Sequence, residues 1–207
     1  MPGLAIDLNI YPDEAALLQA LQAGEKYACA CMVKHHSSQM YAVALRIVGD
    51  SDEAEEVVQE AFISACNKVD SFEGRSKLST WLYRITTNAA LMRLRKQRGD
   101  TVSLDEPQMM EDGDLLPRQL GDWQVEPSQL ALTAELRQVM EAAVQELNPT
   151  LRTAFVLRDI QGLSTQEAAA ALEISESALK VRLHRARLQL RESLAAYLAG
   201  NEDEMRL

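Results

Sequence analysis

A segment near the middle of the chain interrupts the helical sequence pattern and divides it into two parts. From residue 99 to residue 127 there is no sustained apolar period, and the segment contains three prolines, three glycines and many acids. Proline and glycine punctuate regular structure, and a strongly acidic segment cannot bury enough apolar surface to fold alone. We therefore expect an all-α protein with two helical domains, residues 1–98 and 128–207, joined by an acidic flexible linker at 99–127.

The distribution of charge says more than the total. A net charge of −10 argues, by itself, against binding to nucleic acid. Yet the charged residues within 75–98 are seven bases and no acid, and those within 180–191 are five bases and no acid. At physiological salt, charges more than ~8 Å apart are largely screened, so local clusters matter more than the sum. The sequence predicts two basic surfaces separated by an acidic connection.

The cysteines and the hydropathy of the chain indicate in which cellular compartment the protein is expected. An odd number of cysteines without a framework spacing does not suggest structural disulfides. No window holds the ~18 apolar residues that cross a bilayer, and the N-terminus has acids where a signal peptide has bases. We expect a cytoplasmic protein without a cofactor. Cys29 and Cys31 lie near His35 and His36, which leaves a metal or redox role open beside ordinary buried thiols.

Four helices are predicted in the first part. Asp13 can cap the first helix, and Gly49 ends the second. Asp52, with Glu55 three residues later, predicts a capping box at the start of the third. The fourth is expected from about residue 80 to residue 98. The face beside its apolar side combines basic side chains with an amide and an indole: Trp81, Arg84, Asn88 and Arg95.

This face of the fourth helix is suited to binding the unpaired nucleotide bases of a separated DNA strand. Unstacked bases need stacking surfaces and hydrogen bonds at their edges, whereas duplex binding needs mainly charge. The alternative for the aromatic residues Trp81 and Tyr83 is that they pack in the core, which we favour for Tyr83.

The second part contains a short helix, a tight turn and a basic helix. Ser164 and Glu167 form a capping box for the short helix, and Ser175 can cap the basic one. This order is typical of a helix-turn-helix, whose second helix enters the major groove. Glu173 stands in the turn where glycine is common, which implies a positive φ and a strain of about 1 kcal/mol.

The outward side of the basic helix supplies candidate DNA contacts. Phosphate contacts position such a helix and a few side chains read base edges. The alternative is a solvated basic face, which many helical bundles carry. We expect base or near-base contacts from Ser177, Lys180, Val181 and Arg182, and phosphate contacts from Arg185 and Arg187.

Both parts resemble one family. The segment F-x-G-x-S-x-x-x-T-W-L-Y-R-I-x-x-N resembles domain 2, and L-x-P-x-x-R-x-x-F-x-L-R with K-x-R-x-x-R-A-R resembles domain 4, of the bacterial extracytoplasmic-function sigma factors (sigma-70 family, group IV). The resemblance implies a transcription initiation factor, not an enzyme. It would bind core RNA polymerase at the β′ clamp and the β flap, and read promoter −10 and −35 elements. An anti-sigma factor is a further partner that the resemblance allows.

The resemblance also implies roles for single residues. Leu78 and Met92 depart from the family pattern, which has an aromatic and often an acid there, so the −10 preference is expected to differ. The third helix resembles the polymerase-docking helix. The acidic linker is expected to thread a basic channel of the polymerase. The implied −10 loop is Phe72, Gly74, Arg75, Ser76 and Lys77, with Asn88 on the flipped base, and the implied polymerase contacts are Glu56, Gln59, Glu60 and Ile63.

Three alternatives stay open at the level of the sequence. A free-standing regulator with one helix-turn-helix would bind promoters without polymerase. A helical metal protein or enzyme would need further ligands beside the Cys and His cluster, and no H-E-x-x-H motif is present. A pure interaction protein would not support transcription.

Overall fold

The structure is a computed structural model that describes residues 10–72, 74, 76–97 and 134–204, with side chains of the second part described over 138–195. All regular structure within these residues is helical. The predicted linker and Arg75 lie outside them. Two helical units are present, as the sequence predicted.

The first unit, residues 10–97, contains four helices and one 3-10 turn. Asp13 accepts a hydrogen bond from the Ala16 backbone N–H (2.8 Å), so the first helix is capped as expected. The elements are α1 (Glu14–Gln22), α2 (Ala28–Val48), α3 (Ser51–Lys68), the 3-10 turn (Val69–Ser71) and α4 (Leu78–Gln97).

The cap of α3 differs from the prediction. Gly49 ends α2 with φ +84° and donates its backbone N–H to the Leu45 carbonyl at 2.8 Å. Asp50 then accepts a hydrogen bond from the Glu53 N–H at 2.9 Å. The predicted capping box at Asp52 is therefore wrong, because the left-handed glycine lets the next helix begin at once.

The cysteine prediction is also wrong for one pair. Helices α2, α3 and α4 pack against one another, and this packing joins Cys29 of α2 to Cys66 of α3 in a disulfide with a Cα–Cα distance of 6.0 Å. Cys31 is a buried free thiol, as expected. The two bonded cysteines are 37 residues apart in sequence, so local spacing gave no indication of the pair.

The second unit, residues 134–204, contains four further helices. Asn148 caps α6 by accepting the Leu151 N–H at 2.9 Å, and Pro149 occupies the first helical position. The helix predicted over 150–160 is divided into α6 and a π-helical turn. The elements are α5 (Ala134–Glu146), α6 (Pro149–Phe155), the π turn (Val156–Ile160), α7 (Thr165–Leu172) and α8 (Glu176–Glu204).

The helix-turn-helix forms as predicted. The Ser164–Glu167 capping box is present in full, and Ser175 caps α8 by accepting the Ala178 N–H at 3.1 Å. Glu173 has φ +55°, the left-handed conformation expected of the turn. The inward side of α8 is buried, as its spacing predicted, at Leu179, Leu183, Ala186 and Leu190.

The two units pack directly on each other. Helix α4 lies against α7, and α2 contacts α5, α6 and the π turn. One continuous cluster of buried apolar side chains includes residues from both units, among them Met32 and Leu157. The two predicted DNA-reading regions therefore belong to a single body in this structure.

Two further properties concern the described ranges only. None of the helices there has both the length and the hydropathy needed to cross a membrane. Within the same ranges, no three His, Cys, Asp or Glu side chains are grouped so that they could hold a metal ion.

Candidate nucleic-acid interface

Helix α4 is buried along two lines of residues and exposed along a third. Leu78 and Leu82 are buried on one line, and Tyr83 and Thr87 on another. Tyr83 thus lies in the core, as favoured from the sequence. The exposed line is the α4 face, and it consists of half-buried Trp81 with exposed Arg84, Asn88, Met92 and Arg95.

The loop before α4 is held by α1. Glu14 accepts a hydrogen bond from the Leu78 backbone N–H at 2.7 Å, which satisfies a free donor at the start of α4. Gln22 donates its side-chain amide to the Phe72 carbonyl at 3.1 Å. The sequence gave no indication of these contacts, because they join residues fifty or more positions apart.

Phe72 has a different environment from the one expected for a loop residue. Its side chain is buried, and its ring centroid lies 5.1 Å from that of Trp81 in a tilted arrangement. In this conformation Phe72 supports the indole instead of facing solvent. Gly74 and Ser76 are exposed, and Gly74 has φ +69° with open space where a side chain would begin.

Arg93 connects α4 to α3. Its guanidinium pairs with Glu53, and also with Glu56 at 2.6 Å. The hydrogen bond from Arg93 holds the pKa of Glu53 below its usual range. Arg93 therefore braces the first unit instead of adding a free base to the α4 face.

The predicted polymerase-docking residues share one exposed surface of α3. Ile63 is 64% exposed, although the neighbouring Phe62 is buried. The docking patch consists of Glu56, Gln59, Glu60 and Ile63, all of them exposed.

Helix α8 exposes most of its predicted contacts outside the side that holds the buried leucines. Arg182 is half-buried, and this burial lowers its pKa. Arg187 donates from Nε and Nη2 to the two carboxylate oxygens of Asp159, at 2.9 and 2.8 Å, so the structure engages it within the unit. The α8 face consists of the exposed residues Ser177, Lys180, Val181 and Arg185.

Two ion pairs connect the α4 side of the first unit to the helix-turn-helix. Lys77 Nζ lies 2.9 Å from Glu167 Oε1, and Arg84 Nη2 lies 2.6 Å from Glu173 Oε1. Hydrogen bonds from Ser164 and then Lys77 lower the pKa of Glu167 to about 2. The sequence revealed the capping role of Glu167, but it did not predict either partner across the units.

A second group of contacts between the two units lies at the C-terminal end of α2. Arg152 is buried and donates to the Ile47 carbonyl at 2.6 Å, while also bonding the carbonyls of Leu147 and Gln145. The Gln145 side chain donates to the Arg46 carbonyl at 2.9 Å. Groups of the second unit thus satisfy carbonyls that a helix end leaves free. We call these bonds and the two ion pairs the seam.

Comparison with known families agrees with this division into units. Residues 32–99 match the Sigma-70 region 2 family, and residues 137–190 match the Sigma-70 region 4 family. The first match ends with α4, and the second contains α7, the turn and α8 as far as residue 190.

Relatives match across most of the chain. The extracytoplasmic-function (ECF) RNA polymerase sigma factor SigW of Bacillus subtilis is 34% identical, over 86% of this chain and 94% of its own length. The ECF RNA polymerase sigma-E factor of Escherichia coli is 33% identical, over 84% and 90%. A crystal structure of the sigma factor RpoE bound to the anti-sigma factor NepR, from Bartonella quintana, is 30% identical with a TM-score of 0.57, over 79% and 94%. The chain belongs to the extracytoplasmic-function RNA polymerase sigma factors, which are transcription initiation factors.

Proposed function

We propose that this chain brings core RNA polymerase to promoters by reading the −10 element with the α4 face and the −35 element with the α8 face. The observation that carries the proposal is the exposure of Asn88 in the middle of a braced helix, beside Trp81 and Arg95. An amide can hydrogen-bond a base edge, an indole can stack on a base, and a guanidinium can contact phosphate.

The loop before α4 supports reading of separated strands. Gly74 and Ser76 are exposed beside Lys77, and the buried Phe72 ring fixes the position of Trp81. A flipped base needs a fixed surface on which it can stack, because unpairing it costs a few kcal/mol. We assign capture of −10 bases to Gly74, Ser76, Lys77, Trp81 and Asn88, together with Arg75.

The second unit supports reading of duplex DNA. The capping box and the cap at Ser175 fix the angle at which α8 leaves the turn. Val181, 50% exposed, offers an apolar contact of the kind that thymine methyl groups accept. We assign the −35 base contacts to Ser177, Lys180, Val181 and Arg182, and a phosphate contact to Arg185.

We extend the proposal to polymerase docking, domain limits and location. The docking patch on α3 is the proposed polymerase contact, and the domain limits are 1–98 and 128–207 with 99–127 as the linker. The chain acts in the cytoplasm, as a specificity factor without catalytic activity of its own. A chain with a net charge of −10 has little non-specific attraction to DNA, so polymerase is required for promoter binding.

The decisive experiment is run-off transcription with purified core polymerase on a genomic promoter library, with and without this protein. We expect a defined set of start sites that appears only with the protein. Promoter binding without polymerase would support a free-standing regulator, and the absence of new transcripts would overturn the proposal.

A second experiment separates polymerase docking from promoter reading. Ile63→Asp places a charge in the docking patch, and we expect loss of core binding in gel filtration. Ala30→Asp, at an exposed position of α2 outside the patch, is the matched control and should bind normally. Equal binding by both variants would remove the patch from the proposal.

A further inference from the structure

We propose that Cys29 and Cys66 form a reversible oxidation site that reacts with hydroperoxides, and that the disulfide so formed stabilises the −10 loop. This inference rests on the proposed function in two respects, the cytoplasmic location and the reading of −10 bases by that loop. It begins from the disulfide that joins α2 to α3. Cytosolic proteins rarely keep a disulfide permanently, and those that form one usually use it in catalysis or redox sensing.

The packing of the first unit places the two cysteines at bonding distance. Their Cα atoms are 6.0 Å apart, within the range of about 4.4–6.8 Å that a disulfide spans. Helices α2, α3 and α4 pack on one another around a core that includes Met32, Val57 and Ala65. Because this apolar packing sets the spacing of the two helices, the bond can form and break without unfolding of the unit.

The third cysteine has a different environment. Cys29 and Cys66 are half-buried, so a small oxidant can reach the pair from solvent. Cys31 is 0% exposed, although it follows Cys29 by only two residues, because it lies on the core side of α2. Oxidation is therefore expected at Cys29 and Cys66, with Cys31 protected.

The positions of the two thiols in their helices assign the order of reaction. Cys29 lies in the first turn of α2, where free backbone N–H groups and the helix dipole favour a thiolate. That turn, residues 28–31, carries no acid, and the charged residues before it, Glu25 and Lys26, have opposite signs. Cys66 lies in the last turn of α3, where the dipole disfavours negative charge. Cys29 is thus the thiol that attacks the oxidant, and Cys66 is the thiol that closes the bond.

The oxidation consists of two displacements. The Cys29 thiolate attacks one oxygen of the hydroperoxide, the O–O bond breaks, and the other oxygen takes a proton and leaves as an alcohol, which makes Cys29 a sulfenic acid. The Cys66 thiolate then attacks the Cys29 sulfur, the S–O bond breaks, and the hydroxide leaves with a proton as water. Two thiols lose two electrons and two protons, and one hydroperoxide becomes one alcohol and one water. A dithiol reverses the bond by thiol–disulfide exchange and is itself oxidised to a disulfide.

The two histidines near these cysteines in sequence are too far along α2 to act on the pair. His35 and His36 follow Cys29 by six and seven residues, which corresponds to about 9 Å or more along the helix axis. The redox role that the sequence left open beside them is therefore assigned to Cys29 and Cys66, on two different helices.

The oxidation site lies at the base of the −10 loop. Two residues separate Cys66 from the 3-10 turn, in which the Val69 carbonyl accepts the Phe72 backbone N–H at 2.9 Å. The Phe72 ring supports Trp81, with 5.1 Å between the ring centroids. The disulfide fixes the end of α3 from which these contacts begin. Neither cysteine belongs to the seam, so the effect acts within the first unit.

Peptide mapping of the full chain tests the site. The protein is reduced, exposed to hydrogen peroxide and alkylated before digestion. We expect a linked Cys29–Cys66 peptide, which a dithiol separates again, and an alkylated Cys31. Absence of the linked peptide, or oxidation of Cys31 at the same rate, would overturn the site.

Single variants test the order of reaction. Cys66→Ser should accumulate a sulfenic acid on Cys29, measured as an adduct with dimedone. In Cys29→Ser, the remaining Cys66 should react with peroxide about tenfold more slowly than Cys29 does in Cys66→Ser. Equal rates, or faster reaction of Cys66, would contradict the assignment of Cys29 as the attacking thiol.

Promoter opening tests the effect on the loop. Permanganate reactivity of −10 thymines is measured with holoenzyme that contains oxidised or reduced wild-type protein. We expect about threefold less opening in the reduced state, because a loop whose base is not fixed opens locally more often. Cys66→Ser should match the reduced wild type under both conditions, which controls for redox effects on the polymerase, and Cys31→Ala should respond as the wild type does. Equal opening in the two states of the wild type would overturn the effect on the loop.

Failure of the site and failure of the proposed function have different signatures. Run-off assays without transcripts in either redox state would remove the proposed function, and with it the effect on the loop. The linked peptide would still decide whether Cys29 and Cys66 are the oxidation site, because its formation requires neither polymerase nor DNA.

Discussion

The two units support their reading helices in different ways. Helix α4 is packed against α2 and α3, tied to α3 through Arg93 and held at its start by Glu14. Helix α8 is buried on one side and leaves its other side exposed beyond a capped turn. The difference matches two tasks. Holding unpaired bases requires a rigid platform, whereas reading a duplex requires a helix that projects into a groove.

The largest expected effect is on stability, from loss of the disulfide that joins α2 to α3 in the first unit. The Cys29–Cys66 disulfide closes a loop of 37 residues, which corresponds to about 4 kcal/mol of stability. We expect reductant to lower the urea midpoint of the wild-type protein. Cys66→Ser should have the lower midpoint already and should not respond to reductant. An identical midpoint for oxidised and reduced wild type would show that the first unit does not depend on this brace.

The next largest effect is expected from removing the amide of the α4 face, on which unpaired bases would be held. Asn88→Ala removes the amide from the α4 face, and losing base-edge hydrogen bonds should cost about 2 kcal/mol, or roughly thirtyfold in promoter opening. Permanganate reactivity of −10 thymines measures the opening. Gln19→Ala removes an exposed amide from α1 and is the control. Normal opening by Asn88→Ala, with core binding intact, would contradict the assignment of α4 as the base-capturing helix.

A smaller effect separates the two kinds of contact on α8. Arg185→Gln should weaken −35 binding by about 1 kcal/mol on every sequence and reduce the salt dependence by about one phosphate contact. Lys180→Gln should instead relax the preference at one base pair. Holoenzyme binding to a −35 substitution series at several salt concentrations distinguishes them. If Arg185→Gln changes sequence preference and Lys180→Gln does not, the two roles are reversed.

The smallest effect concerns the turn before α8. Glu173 has φ +55°, where glycine is unstrained and alanine is not. Both Glu173→Gly and Glu173→Ala remove the Arg84 pair, so their difference isolates the backbone. We expect the glycine variant to be more stable by about 1 kcal/mol in thermal unfolding. Equal stability would mean that the turn relaxes when the side chain is shortened.

The sequence predicted the features that depend on neighbouring residues. The capping box at Ser164, the cap at Ser175 and the left-handed turn at Glu173 all follow from spacings of a few positions. The buried side of α8 followed from helical periodicity. These features are encoded locally, so the helix-turn-helix could be recognised before its tertiary contacts were known.

Features that join distant positions could not be predicted in this way. The Cys29–Cys66 bond and the Arg84–Glu173 pair depend on how helices pack, which no spacing reveals. Phe72 was expected to line the pocket of the −10 loop, yet it is buried against Trp81. A loop aromatic has the same sequence signature whether it supports a site or faces it.

The hydrogen bonds from α1 extend the −10 reader beyond its family segment. The region 2 match begins at residue 32, but Glu14 and Gln22 hold the two ends of the loop at Leu78 and Phe72. A fragment that starts at residue 32 would keep Trp81 and Asn88, but it would lose both hydrogen bonds that α1 makes to the loop between α3 and α4. If the α4 face reads the −10 element as proposed, α1 sets the shape of the reading loop through these two hydrogen bonds, and we expect variation in α1 to change promoter opening without altering a proposed reading residue.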